Sequence, residues 1–230
     1  PAIWPHLLAA ALLGVLGGYS WWRRSVPGAR PFAVACLFGA IWLTGAAVET
    51  AAVSLPAKIT TFKFQAIWQL PAVTATTCFV LEYVRPGRWL TRPNLILLSL
   101  SPLLAFILVV TNDLHRLFYL TYGTDGAIRP AFGILGQIFV VYGFCLVLVN
   151  VAALIWLYVR SPRHRWPAAL IMGGQIMARA VYLLDLANRQ ATAQPPRVIL
   201  AVVLPMVVYA IALFGFRIFD PLPAARAAAL

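Results

Sequence analysis

AALIMGGQIMARAVYLLDLA, residues 168–187, is apolar for the length of a membrane span and yet carries Gln175, Arg179 and Asp185. At ~1.5 Å rise per residue, about 20 residues cover the ~30 Å of a hydrocarbon core. An arginine near the middle of such a helix costs at least ~2.5–3.5 kcal/mol on insertion scales, so by default it marks a functional site. What Arg179 faces is therefore the first question the sequence raises.

The rest of the chain is built like this run. Of 230 residues, 62% are hydrophobic and only 10% charged, with a mean hydropathy of +0.86. Soluble domains are about one quarter charged. The composition points to an all-α membrane protein, and further apolar runs at 3–22, 32–55, 64–84, 94–112, 131–159 and 198–217 complete a bundle of seven transmembrane helices. The chain opens directly on an apolar run, and no cleavable signal peptide can be read. Cys36, Cys78 and Cys145 all fall inside apolar runs, where the expectation is three small core residues and no disulfide framework.

A net charge of +12 would suggest nucleic acid in a soluble protein; here membrane topology explains it, and no nucleic acid is expected. Arg23, Arg24, Arg30, Arg85, Arg88, Arg92, Arg160, Arg163, Arg165, Arg217 and Arg226 follow the odd-numbered spans. The opposite connections hold fewer: Lys58, Lys63, Arg116, Arg129, Arg189 and Arg197. Positive-inside bias puts the N-terminus outside and the C-terminus in the cytoplasm. Trp21, Trp22, Trp89 and Trp166 sit where an aromatic belt is expected. Pro71, Pro102 and Pro205 fall inside spans and are expected to kink them. The Gly14–Gly18 spacing, widened by Gly17, suits close helix packing. Between the fourth and fifth spans, Leu117–Tyr122 is β-prone and Thr124-Asp125-Gly126 signals a turn, predicting a short extracellular hairpin.

Polar residues within the spans gather in the outer half. Glu49 lies roughly 9 Å and Arg179 roughly 12 Å below the outer ends of their helices, with Gln69 and Gln137 at similar levels and Asn112 and Asp185 nearer the rim. Intramembrane polar groups turn toward one another or toward a water-filled cavity. The expected site is an outward-opening pocket with Trp68 and Tyr182 among its walls. Gln175, Arg179 and Tyr182 share one helix face. Two readings stay open for Arg179: a structural ion pair, with Glu49 the best depth match, or a bidentate anchor for an anionic or carboxylate-bearing ligand.

Several chemistries are excluded. His6, His115 and His164 lie in separate segments, so none can clamp a haem, and no His/Cys/Asp cluster has metal spacing. The seventh span has no lysine for a retinal Schiff base. There is no Gly-x-Ser-x-Gly elbow, HExxH or P-loop, and no cofactor is expected.

Residues 65–120, with Glu49 late in the second span, Pro71 in the third, the Leu90-Thr91-Arg92 turn and the Thr111-Asn112-x-x-His115 exit, resemble the N-terminal seven-transmembrane sensor region of bacterial histidine kinases and some diguanylate cyclases. Phe219-Asp220-Pro221-Leu222-Pro223 resembles the link from such regions to a cytoplasmic PAS or kinase module. The resemblance implies a sensor domain over 1–218, a linker beginning at 219–230, His115 near the ligand site, a homodimer, and an address in the bacterial inner membrane. It implies a receptor rather than an enzyme for this chain and names no signal; the polar outer half sets the expectation of a small carboxylate-bearing or partly apolar ligand, with the change relayed through the seventh helix. A small transporter or channel is the alternative, and a membrane enzyme a weaker third reading.

Overall fold

The computed structural model describes residues 3–123, 128–187 and 197–215, with residues 185–187 and 197–198 described by backbone only. The Thr124–Gly126 turn, nearly all of the 188–197 loop and the 219–226 linker fall outside the described residues, as do Arg189, Arg217 and Arg226.

Among the described residues, eight α-helices follow in order: α1 (Trp4–Trp22), α2 (Ala29–Ala51), α3 (Leu55–Val84), α4 (Arg92–Val110), the single turn α5 (Asn112–His115), α6 (Ile134–Arg160), α7 (Arg165–Ala187) and α8 (Arg197–Ala210). Two strands, β1 (Tyr119–Gly123) and β2 (Arg129–Phe132), pair antiparallel between α5 and α6. Among the described residues, five helices, α2, α3, α4, α6 and α7, are long and apolar enough to cross a membrane by length and composition, while α1 and the shorter Ile199–Gly215 run fall below that criterion. The chain is a multi-pass, largely helical membrane protein.

The helices form where their ends are signalled. Gly28, at φ 88, turns the chain into α2, a backbone state that costs glycine nothing, and Ser20 Oγ locks the turn by donating to the Ala29 carbonyl at 2.8 Å. Ser54 caps α3, accepting from the Ala57 N–H, with proline in the first turn. That cap starts α3 well before residue 64, so Lys58 and Lys63, expected in an outer loop, ride on helix. At 30 residues, α3 is about 45 Å long. Helices α3, α4 and α8 run through Pro71, Pro102 and Pro205. Beyond α8 the chain widens into a π-helical turn, Ile211–Gly215, a geometry that recurs at functional sites.

Helix α2 is the hub, packed on α1 and α3. Gly17 makes the α1–α2 approach: a β-carbon there would lie 3.2 Å from Cys36 Cβ, whereas Gly14 and Gly18 meet nothing within 4 Å. The small face expected from the sequence is thus used through its middle glycine alone. The main core joins α1, α2, α3, α6, α7 and α8 around Phe32, Phe79, Tyr209, Leu154, Ile171 and Leu213. Cys36 and Cys78 are buried as expected, but Cys145 is exposed on the outer face of α6. Helix α4 packs chiefly on α3, and most of its apolar side chains point away from the bundle, as lipid-facing residues do.

Candidate functional site

The predicted site residues separate into two nodes and a remainder. At the mouth of the hairpin, Glu49 is fully engaged. Its Oε2 accepts from Gln65 Nε2 across to α3, and its Oε1 accepts from the backbone N–H of Ile128 at 3.1 Å. His6 of α1 lies within electrostatic reach of the same carboxylate. One side chain thereby joins α2, α3 and the segment leading into β2. The expected Glu49–Arg179 pair is not formed; the carboxylate is bound to α3 and to Ile128, while the guanidinium turns toward α6. The α3 partner is Gln65, 6% exposed, and not Gln69, which lies on the exposed face. A one-turn difference on α3 separates the two, and the packing of Gln65 against Gly45 of α2 selects the former.

Asn112 and His115 are also bound to backbone. Asn112 is 2% exposed; its Oδ1 accepts from the N–H groups of Phe118 at 3.1 Å and Tyr119 at 2.9 Å, and its Nδ2 donates to the Tyr119 carbonyl at 3.0 Å. The Leu117 N–H donates to His115 Nδ1 at 2.9 Å, so the ring proton sits on Nε2, 3.1 Å from Thr111 Oγ1. Arg116, at φ 51, is the left-handed residue that lets the chain reverse here. The Thr111-Asn112-x-x-His115 exit is therefore a hydrogen-bonded knot that turns α4 into β1. Two glycines that the sequence reading passed over complete it. A β-carbon on Gly133 would fall 2.2 Å from the Leu117 carbonyl oxygen, and one on Gly136 2.3 Å from that of Phe118. Their absence lets the first turn of α6 lie on the knot, where the Gly133 and Leu135 N–H groups donate to the Phe118 and Leu117 carbonyls and satisfy otherwise orphaned helix donors. Burial pushes the phenols of Tyr119 and Tyr122 upward, Tyr119 furthest.

The second node is Arg179. Its guanidinium is half-buried and turned toward α6, not outward: Nη2 donates to the Gly143 carbonyl at a long 3.4 Å, and Cζ lies 5.0 Å from the Phe144 ring centroid. Phe144 in turn meets Tyr182 edge-on at 6.1 Å. No acidic side chain among the described residues lies within ion-pair distance of Arg179. One turn away on the same face, Gln175 is 5% exposed and its Nε2 has no hydrogen-bond partner. Two donors, one charged, are thus held in an apolar setting with little to accept from them.

The remaining predicted residues do not join either node. Gln137 is exposed and makes only a 3.5 Å contact with the Phe132 carbonyl. Trp68 packs on Phe38 and Phe64, its Nε1 buried without a partner. The side chain of Asp185 lies outside the described residues. Among the described residues there is no His/Cys/Asp/Glu cluster of metal-binding form.

Compared with known protein families, the chain matches the model of the N-terminal 7TM region of histidine kinase over residues 5–223. The chain belongs to this family. The match covers the helices, the hairpin and both polar nodes, so this 7TM region is a membrane-embedded part of a signalling protein that carries a kinase module. No curated protein matches the sequence.

Proposed function

We propose that this 7TM region is the input domain of a bacterial inner-membrane signalling protein, and that it binds a small anionic, carboxylate-bearing molecule at Arg179. Helices α1 and α8, with the π-helical turn after α8, serve as the first and last of seven spans, with the N-terminus outside, the hairpin over the outer mouth and the C-terminus leading through 219–230 into the cytoplasmic module. The observation that carries the reading is a half-buried guanidinium turned into the bundle beside the unpartnered Gln175 amide, with no carboxylate against it among the described residues. A charge in such a place is stabilised by a counter-charge, and a carboxylate that accepts from both Arg179 and Gln175 would supply it.

Signalling then follows from differential affinity, since a ligand biases two states only as far as it binds them differently. Arg179 lies on α7 facing α6, and α7 packs along α8. A ligand drawing the guanidinium off Gly143 would shift α7 against α8 and the turn Ile211–Gly215. Isothermal titration of the purified chain with a panel of small carboxylates tests this. A carboxylate is expected to bind, with Arg179→Ala abolishing the heat while thermal unfolding stays cooperative. Equal binding by wild type and Arg179→Ala would end the assignment.

A further inference from the structure

At the arginine-rich end of the bundle lies a groove of about 610 Å³, remote from Arg179 and within the ~300–1,000 Å³ usual for ligand sites. Helix α3 packs on both α4 and α6, which hardly touch each other. The resulting cleft has Leu97 of α4 on one wall, Val149 and Ala152 of α6 on the other, and Leu81 of α3 as its floor. Trp89 and Trp156 close its end, their rings 5.9 Å apart. The Arg85 guanidinium lies 4.5 Å from the Trp156 centroid and 5.8 Å from that of Trp89, and Arg160 lies 5.4 Å from Trp156. Stacking uses the faces of these guanidinium groups and leaves N–H edges available. Neither arginine meets a carboxylate at ion-pair distance among the described residues. Glu82, the acid nearest in sequence, accepts from the Gly87 N–H at 3.3 Å.

An apolar slot between helices, ended by two tryptophans and two cations, has the chemistry of one amphiphile. We propose that the groove binds a single anionic phospholipid, with an acyl chain between α4 and α6 and the phosphate on Arg85 and Arg160. Charge complementarity selects it: a zwitterionic lipid brings an ammonium beside its phosphate, and free phosphate has nothing to fill the apolar slot. Basic pockets between helices are a recurrent solution for such headgroups. The inference is independent of any ligand at Arg179.

Native mass spectrometry of the chain released from nanodiscs of equal parts phosphatidylcholine and phosphatidylglycerol tests this, because it reads retained lipid and oligomeric state together. The expected result is one retained lipid, enriched in phosphatidylglycerol. Arg85→Gln and Arg160→Gln should each lower the enrichment about fivefold, equivalent to about 1 kcal/mol per basic residue. Ala152→Trp, which fills the slot and leaves both arginines, should remove the adduct. Retention of the two lipids in the disc's own proportion would overturn the proposal in the wild type, whatever the variants do. So would enrichment that survives Ala152→Trp, which would mean surface charge alone, or a lipid-free dimer, which would mean a second copy in the groove.

Discussion

Glu49 and Arg179 are the two deep charges that the sequence pairs by depth, and the structure gives them opposite surroundings. Glu49 has each oxygen on a donor and ties three parts of the chain together. Arg179 has one long contact to a carbonyl and an aromatic face. A polar group with all its bonds made inside the protein holds structure. A buried donor left short of acceptors is costly unless something else completes it. The same residue class, at similar depth, is thus latch in one place and receptor candidate in the other.

The sharpest way to break this contrast is at Arg179. Truncating one member of a desolvated charge pair costs ~2–5 kcal/mol of affinity, so Arg179→Ala should weaken carboxylate binding at least about thirtyfold with little loss of thermal stability. At the latch the effects should be inverted. Asn112→Ala removes three bonds to backbone and should lower stability by at least about 3 kcal/mol, at ~1–3 kcal/mol for each buried group left unpaired; denaturation in nanodiscs would register it. Glu49→Leu strands Gln65 and the Ile128 N–H and should cost about 2–3 kcal/mol, with faster proteolysis between β1 and β2 as a local readout. Either latch variant losing ligand affinity at unchanged stability would erase the distinction between the nodes. The smallest effect belongs to Lys63–Asp113, 2.6 Å apart with the aspartate 75% exposed. Lys63→Ala should change stability by less than about 1 kcal/mol.

How much of this was legible beforehand depends on the physics involved. Length and hydropathy locate the apolar helices because burial in lipid acts on whole segments, and the β-prone run overlaps strand β1. Helix phase over a single turn is a finer matter. Gln65 and Gln69 are equally polar, and only the close approach at Gly45 tells which one meets Glu49. The Thr111-Asn112-x-x-His115 motif was visible, but its bonds to backbone were not, since a side chain that binds backbone looks no different in sequence from one that binds a ligand. Gly133 and Gly136 pass for ordinary glycines of an apolar run; two glycines three apart, shortly after the Thr124-Asp125-Gly126 turn signal, were the available clue. The groove beside Trp156 was unreadable, because it arises from helices α4 and α6 standing apart.

The length of α3 has its own consequence. About 45 Å of helix exceeds a hydrocarbon layer of ~30 Å by roughly three turns, so α3 must either lean steeply or rise above the lipid like a mast. Its upper part carries Phe62, whose ring meets Tyr119 at 5.5 Å and Tyr122 at 6.2 Å. The ribbon is therefore rigged to a spar that runs unbroken from the strand pair to the arginine-rich end, and any push on that ribbon would be felt along its whole length.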